Sequence, residues 1–239
     1  MASAVDIAGN VSRVRERICR CAARAGRDPD SIRLVAVSKT FPPERILAAY
    51  DAGLRHFGEN RVQEFHQKLP HLRLPEACFH LIGHLQSNKV RQALAFDWIH
   101  TVDSVRLAQL LNAEARQANK SLPVLIEVKV SREENKTGVS EDELAALVSS
   151  VASLDRLQLR GLMTMPPWAE NPEVSRPYFR LLRQWRERLQ RAGFPQVEEL
   201  SMGMSHDFEA AIEEGATLVR IGTAIFGPRS VRPPQVSPA

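Results

Sequence analysis

The sequence predicts a (β/α)8 barrel, a closed ring of eight parallel strands surrounded by helices, with one additional helix at the N-terminus. Strand-like apolar runs alternate with helical patterns along the chain, and this alternation favours a parallel sheet with right-handed crossovers. Eight such units in 239 residues match the usual size of this barrel, which is roughly 250 residues. The alternative is an open doubly wound sheet, which usually has a Gly-rich phosphate turn after its first strand. Here the first strand is followed by SKTFPP, which contains no glycine.

The additional helix is predicted over residues 4–25. Apolar residues recur there at steps of three and four, which places them on one buried face of a helix. Gly26 and Pro29 follow this pattern and predict the end of the helix. The apolar face consists of Ile7, Val11, Val14, Ile18 and Cys21.

The eight predicted strands are short apolar runs, as expected of strands that are buried on both faces of a parallel sheet. They cover residues 32–38, 54–58, 78–82, 97–102, 123–130, 157–163, 197–202 and 217–221.

Helix-start signals lie between these runs. Pro43 occupies a first-turn position, Ser104 is a suitable N-cap, and Ser140 with Glu143 has the spacing of a capping box. A longer helix is predicted over residues 172–192. Its apolar stripe consists of Val174, Tyr178, Leu181, Trp185 and Leu189.

The chain is predicted to contain one domain, over residues 1–227, because no linker-like segment interrupts the alternation. Residues 228–239 are predicted to be a disordered tail. The stretch from Gly227 onward has four prolines in 13 residues and no periodicity, which is typical of a segment that forms no packed core.

The composition excludes several classes of protein. No window holds 18 apolar residues, so no transmembrane helix and no membrane partner are expected. The N-terminal residues lack the pattern of a secretory signal, and three cysteines suit a reducing compartment, so a cytoplasmic location is expected. The net charge of +4 is spread over Arg-rich helices, and with 6% aromatic residues the chain is not expected to bind nucleic acid.

Lys39 is the first candidate for chemistry. It follows the apolar run of residues 32–38 and therefore lies at the carboxyl end of the first predicted strand, where barrels of this type place their active groups. A partly dry site disfavours the charged amine, which makes a lysine there a nucleophile for carbonyl groups. The alternative is a lysine that leaves a strand end and extends to water.

The segments after the last two strands resemble a phosphate site. Such barrels frequently bind phosphate with the loops after strands seven and eight and a helix N-terminus. Gly203 and Gly222 allow a close approach of backbone N–H groups, and Ser201, Ser205 and Thr223 offer hydroxyls. Ser205 could instead serve as a helix N-cap.

Arg220 is the third candidate, because a charge within the strand LVRIG needs a partner. It pairs either with a carboxylate such as Glu199 on the neighbouring strand or with a ligand in the barrel mouth. A nucleophilic lysine, a phosphate site and an arginine together suit pyridoxal phosphate, which has an aldehyde, a phosphate and a ring nitrogen. An aldolase that uses the lysine without a cofactor is the alternative.

A metal site is not predicted. His80 and His84 are four residues apart, but they straddle a strand end and a glycine and so do not share a helix face as zinc ligands do.

Several segments together resemble the pyridoxal-phosphate homeostasis proteins, single-domain relatives of the alanine racemase barrel. The segments are LVAVSKTFPPERI, HFGENRVQE, FHLIGHLQSNKV, VLIEVKVSREENKTGV, GLMTM and LSMGMSHDFEAAIEEGATLVRIGTAIFG. The resemblance implies a fold-type III barrel that holds pyridoxal phosphate as a Schiff base on Lys39, with Asn60 near the cofactor. It also implies that the SMGMS and GTAIFG segments hold the phosphate and that Arg220 faces the pyridine nitrogen.

The same resemblance implies a role in storing, buffering or delivering the cofactor, with apo-enzymes as possible recipients and effects on amino-acid and keto-acid balance. No established catalysis is implied, and a weak amino-acid racemase is the alternative. A guanidinium always donates, so the ring nitrogen opposite Arg220 must accept and stays unprotonated, which weakens the ring as an electron sink. This disfavours most carbanion chemistry of the cofactor, although racemases of this fold tolerate it. Such racemases use a tyrosine from a second, β-rich domain as a second base, whereas Tyr50 and Tyr178 both lie on predicted helices away from strand ends. Without a second, β-rich domain, a monomer is expected.

Overall fold

The structure, a computed structural model, describes residues 5–131 and 137–228 and contains a closed barrel. Its eight strands pair in parallel and in chain order, and the last strand pairs with the first. The predicted (β/α)8 fold is therefore confirmed. The strands are β1 (Arg33–Val37), β2 (His56–Glu59), β3 (Cys78–Leu81), β4 (Trp98–Val102), β5 (Leu122–Glu127), β6 (Leu157–Met163), β7 (Glu199–Met204) and β8 (Leu218–Ile221).

Helices surround the barrel, and the first of them precedes β1. The α-helices are α1 (Ile7–Arg24), α2 (Pro43–Asp51), α3 (Val62–Lys68), α4 (Val90–Ala93), α5 (Val105–Gln117), α6 (Glu141–Ala152), α7 (Arg176–Arg191), α8 (Phe208–Glu213) and α9 (Thr223–Phe226).

Helix α1 packs against the two helices that follow the last two strands. Its buried face is the predicted one, and Asp6 caps it by accepting a hydrogen bond from the backbone N–H of Gly9. The Arg17 guanidinium pairs with Glu209 of α8 and lies over the Phe208 ring, while the Asn10 amide donates to the Ile225 carbonyl of α9. This helix therefore braces the end of the chain where the phosphate site is predicted.

Several predicted strands have other bounds in the structure. The fifth ends at Glu127 rather than at residue 130, and two further differences concern the seventh and the second strand. The seventh strand continues to Met204 rather than ending at residue 202, so Gly203 lies inside the strand and not in the loop after it. The second strand begins at His56 rather than at residue 54, because Gly53, at a φ of 85°, and the bond from Leu54 N to Ala49 O complete the end of α2.

Two helix predictions need correction. Ser140 donates directly to the Glu143 carboxylate, so the expected pair exists, but the Ser140 side chain does not cap a backbone N–H. The predicted 172–192 helix is a 3-10 turn followed by α7, and Val174 is 49% exposed. The stripe shifts by one residue in its first half. The buried residues of α7 are Phe179, Leu182, Trp185 and Leu189.

Among the described residues, no helix has the length and apolar character needed to cross a membrane. The predicted tail falls almost wholly outside the described residues, which end at Pro228.

Candidate cofactor-binding site

Lys39 lies just beyond the carboxyl end of β1 and is half-buried. The chain turns sharply at this point: Thr40 has a φ of 69°, and the Phe41 backbone N–H donates to the Ser38 carbonyl. A positive φ in a β-branched residue is strained and persists only where the surroundings hold it. The turn that presents Lys39 is therefore a constrained one.

Helix α3 supplies that constraint. The Lys68 amine donates to the Ser38 carbonyl at 3.0 Å, and the Glu64 carboxylate accepts from the Thr40 backbone N–H at 2.6 Å. The Ser38 hydroxyl donates to Glu59 at the end of β2 at 2.7 Å. The residues on both sides of Lys39 are thus fixed by three charged side chains, none of which the sequence analysis connected to the site.

The ion pair beneath this turn is enclosed by protein. Lys68 Nζ lies 2.8 Å from Glu59 Oε1 and 2.7 Å from Glu64 Oε1, and Glu59 is wholly buried. Burial raises the pKa of the Glu59 carboxyl, and the nearby Lys68 opposes that rise. A buried pair of this kind is costly to break, because removing one partner leaves the other charge uncompensated.

The segments after β7 and β8 meet through one hydroxyl. Ser205 Oγ accepts hydrogen bonds from the backbone N–H groups of Gly222 at 3.1 Å and Ala224 at 3.4 Å. Ser205 is therefore not a helix N-cap; the residue before α8 is Asp207, whose carboxylate accepts from the Met204 N–H. A hydroxyl and two N–H groups converge here, the donor types that a phosphate needs.

Close packing requires a glycine at position 203 and leaves little room for a side chain at Gly222. Gly203 has a φ of 87°, and a Cβ placed on it would lie 2.6 Å from the Ala211 Cβ and 2.9 Å from the Phe208 Cα. A Cβ on Gly222 would lie 3.3 Å from the Val37 carbonyl oxygen at the end of β1. The two glycines thus allow the segment after β7 to pack on α8 and the segment after β8 to pack on β1.

The other two predicted residues lie at the same end of the barrel. Thr223 is the first residue of α9 and is exposed. Asn60 follows β2 and is half-buried, and its side chain lies against Gly83 after β3, where a Cβ would come within 2.6 Å of the Asn60 Oδ1.

Arg220 lies within β8 and is buried, with 3% of its surface exposed. It does not pair with Glu199, which is bound instead by Arg33. Its Nη1 donates to Ser201 Oγ at 2.7 Å and its Nη2 to the Thr164 carbonyl at 2.9 Å. Among the described residues no carboxylate lies within ion-pairing distance of it, and burial lowers its pKa to about 10.

Ser201 differs from the expectation that it binds phosphate. Its side chain is wholly buried, and its hydroxyl contacts Arg220 and the Nδ1 atom of His100, 2.9 Å away. His100 in turn lies 2.9 Å from His80, and His80 lies 3.0 Å from His56. No sequence prediction included this network. The alternation of inward residues along a strand places single side chains inside the barrel, but it does not pair them across strands.

One cluster of metal-binding residue types occurs in the described part of the chain. The ligand atoms of His56, Cys78 and His80 lie within 4.8 Å of one another. However, the facing nitrogen atoms of the two histidines are hydrogen-bonded to each other, and burial raises the pKa of the Cys78 thiol to about 12. The cluster is therefore organised as a hydrogen-bond network in this structure.

These features fit pyridoxal phosphate. Val35 of β1 pairs with Arg220 of β8, so the ends of these strands are adjacent, and Lys39, Ser205 and Gly222 lie at this one end of the barrel. The site offers an amine for the aldehyde, hydroxyl and N–H groups for the phosphate, and a cationic donor for the ring nitrogen. The fold and these residues define a (β/α)8 barrel with a candidate cofactor site at the carboxyl ends of its strands.

Comparisons with known proteins identify the family. Residues 10–230 match the family described as "Alanine racemase, N-terminal domain". The Pyridoxal phosphate homeostasis protein of Aquifex aeolicus is 48% identical over 220 residues, which cover 92% of this chain and 96% of the relative. The structure of PipY from Synechococcus elongatus with PLP bound is 39% identical, has a TM-score of 0.83, and aligns over 93% of this chain and all of PipY.

The chain therefore belongs to the family of the alanine racemase N-terminal domain and, within it, to the pyridoxal phosphate homeostasis proteins. The relation to full-length racemases is more distant. An alanine racemase of Clostridium difficile is 16% identical with a TM-score of 0.66, and the match covers 88% of this chain but 55% of the racemase. At that identity the likeness shows the fold alone.

Proposed function

We propose that this protein binds pyridoxal phosphate through Lys39 and stores, buffers or delivers it, and is not an enzyme of amino-acid metabolism. The relative from Aquifex aeolicus is named for pyridoxal phosphate homeostasis, and PipY was solved with PLP bound. The residues proposed to hold the cofactor are Lys39, Asn60, Ser205, Arg220, Gly222 and Thr223. Gly203 shapes the segment that carries Ser205, and Ser201 acts on the cofactor through Arg220.

The observation that carries the proposal is the environment of Arg220. Both of its bonded protein partners, Ser201 Oγ and the Thr164 carbonyl, are neutral. A buried guanidinium with neutral partners keeps its full positive charge, and it can only donate. When bound, pyridoxal phosphate supplies an electron sink that depends on a protonated ring nitrogen. A permanent donor at that nitrogen disfavours the proton and therefore disfavours most of the carbanion chemistry that the bound cofactor could support.

A weak racemase, the alternative function, lacks an obvious second base. Tyr50 lies on α2, and its hydroxyl donates to the Pro75 carbonyl at 2.6 Å, while Tyr178 lies on α7. Neither tyrosine is at the carboxyl end of a strand, where the predicted cofactor site lies. The structure thus offers no tyrosine of the described residues as a proton donor at that site.

We further propose that residues 1–227 act as one cofactor-binding domain, that the protein works as a monomer in the cytoplasm, and that its recipients are apo-enzymes that need pyridoxal phosphate. The cofactor is small and the site lies at the open end of a single barrel, which suits release to another protein.

A paired experiment tests this function. Protein loaded with pyridoxal phosphate is mixed with an apo-enzyme, and recovery of that enzyme's activity reports transfer. In parallel, the loaded protein is incubated with L-alanine in deuterated water. We expect transfer and no sustained exchange at the amino acid Cα. Sustained exchange with accumulation of the D-isomer would establish the racemase instead, and failure to acquire the cofactor at all would contradict both functions.

A further inference from the structure

Five side chains form one continuous line of hydrogen bonds through the interior of the barrel. Arg220 Nη1 lies 2.7 Å from Ser201 Oγ, which lies 2.9 Å from His100 Nδ1. His100 Nε2 lies 2.9 Å from His80 Nδ1, and His80 Nε2 lies 3.0 Å from His56 Nδ1. We call these residues the histidine line. A barrel interior is normally filled by branched apolar side chains, so polar groups there need an explanation.

The histidine line runs from one end of the barrel towards the other. His56 is the first residue of β2 and borders a surface cavity of about 430 Å³ that Arg33 and Ser31 also line. His80 and His100 are wholly buried in β3 and β4. Arg220 lies in β8, two residues before Gly222, the first residue after that strand. The line therefore links the amino end of the barrel to the proposed cofactor site.

If the Ser201 proton also has an acceptor, the donor inventory gives every bond in the line one direction. Arg220 can only donate, so Ser201 accepts from it. The remaining contact of the Ser201 hydroxyl is His100 Nδ1, which therefore accepts its proton. His100 Nε2–H then donates to His80, and His80 Nε2–H donates to His56. In this arrangement every contact within the line has one donor and one acceptor, and all three histidines are neutral.

The electrostatics agree with neutral histidines. Burial lowers the pKa of His80 and His100 well below the ordinary value of 6.5, and Arg220 and Arg33 lower that of His100 further. Burial also lowers the pKa of His56, to about 4. The ring of His80 stacks on Trp98 with ring centres 5.8 Å apart, which fixes its orientation.

We propose that His56, His80 and His100 are positioning residues for the bound cofactor, acting through Ser201 and Arg220 on its ring nitrogen. This inference rests on the proposed function. Because the Ser201 hydroxyl donates to His100, its lone pairs point towards the Arg220 guanidinium. This contact fixes the plane of the guanidinium. Loss of the line at any histidine releases the hydroxyl or reverses the bonds, and the guanidinium turns relative to the ring.

The first test uses the full chain loaded with pyridoxal phosphate. His100→Leu removes both bonds of the imidazole, whereas His100→Gln retains an amide that accepts from Ser201 and donates to His80. Cys78→Ala is the control, since its Sγ lies within 4.8 Å of the ligand atoms of His56 and His80 but outside the line. We expect His100→Leu to shift the absorbance of the bound cofactor in the direction produced by Arg220→Lys, and His100→Gln and Cys78→Ala to leave it unchanged.

The affinity separates positioning from binding. We expect the Kd of His100→Leu for pyridoxal phosphate to rise less than about tenfold, or about 1.4 kcal/mol, because the lysine and the phosphate donors remain. A folded His100→Leu protein with the wild-type absorbance would overturn the proposal. If His100→Leu does not fold, the same comparison is made with His56→Leu at the half-buried end of the line.

A second test needs no cofactor and so distinguishes this inference from the proposed function. Nitrogen-15 NMR of histidine-labelled protein without pyridoxal phosphate reports which ring nitrogen carries the proton. We expect Nε2 to be protonated and Nδ1 unprotonated in His56, His80 and His100 at neutral pH. A protonated Nδ1 on His100, or an imidazolium in the line, would overturn the proposed direction even if the protein binds the cofactor.

Discussion

The Lys68 amine lies 2.8 Å from the Glu59 carboxylate, directly beneath the turn that carries Lys39. The pair is not an isolated ion pair, because the same amine holds the Ser38 carbonyl and the same carboxylate holds the Ser38 hydroxyl. One buried contact between β2 and α3 therefore fixes the position of the proposed nucleophile.

Lys68→Met should be strongly destabilising, because it leaves Glu59 buried and unpaired. We expect a loss of about 3–5 kcal/mol in the free energy of unfolding. Lys120→Met is the control: its amine donates to the Leu94 and Phe96 carbonyls and pairs with no carboxylate of the described residues, and its loss should cost about 1–3 kcal/mol. Urea denaturation measures both. Equal losses in the two variants would show that the ion pair with Glu59 contributes no more to stability than the hydrogen bonds of a lysine to backbone carbonyls.

Gly203→Ala tests the packing after β7. The new Cβ would lie 2.6 Å from the Ala211 Cβ in a residue whose φ is 87°, so it adds a steric clash to backbone strain. Gly193→Ala has the strain alone, since its φ is 101° and nothing lies within 4 Å. We expect Gly193→Ala to lower the free energy of unfolding by about 1–2 kcal/mol. Gly203→Ala should lower it by about 1–3 kcal/mol more. Thermal denaturation that ranks them equally would refute the close packing.

Ser205→Ala should weaken binding through the phosphate alone. The variant loses the hydroxyl that accepts from the Gly222 and Ala224 N–H groups. We expect its Kd for pyridoxal phosphate to rise about tenfold, or about 1.4 kcal/mol. Pyridoxal, which lacks the phosphate, is the ligand control and should bind wild type and variant equally. Fluorescence titration measures both. A parallel loss for the two ligands would place Ser205 away from the phosphate.

Most of the fold follows from the sequence, because it depends on local patterns. Runs such as 157–163 predict strands whatever their surroundings, and Pro43 and Ser104 mark helix starts by local chemistry. Lys39 and Arg220 could be singled out because a charge next to an apolar strand is unusual.

Contacts between distant residues could not be predicted. Ser201 was predicted to bind phosphate from its place near the end of the seventh strand, whereas its hydroxyl contacts Arg220 and His100, which lie in two other strands. In the sequence Lys68 is an ordinary helix residue. Its contact with Glu59 exists only because the closed barrel places α3 against β2. His56, His80 and His100 lie in three different strands, and only the register of those strands brings them together.

The histidine line predicts how stability depends on pH. His100 is neutral when folded, and its unfolded pKa of 6.5 means that the unfolded state binds more protons below that value. Stability is thus present above pH 6.5 and is lost as the pH falls. From about pH 7.5 to about pH 5.5 this group contributes a loss of about 1.4 kcal/mol.

His100→Gln removes that contribution, so its free energy of unfolding should fall by about 1.4 kcal/mol less than that of the wild type over the same range. The Glu59 and Glu127 carboxyls, whose pKa values burial raises, act in the opposite direction but are present in both proteins and cancel in the difference. Urea denaturation at both pH values measures the difference. Parallel pH profiles would mean that His100 is already protonated in the folded protein.

The most direct test of the account is to locate the covalent link to the cofactor. The protein is loaded with pyridoxal phosphate, reduced with borohydride and digested, and the modified peptide is identified by mass spectrometry, with Lys39→Ala as the control. We predict a single modification at Lys39 that is absent from the variant. A modification at any of the other five lysines instead, or none at all, would contradict the proposed role of Lys39.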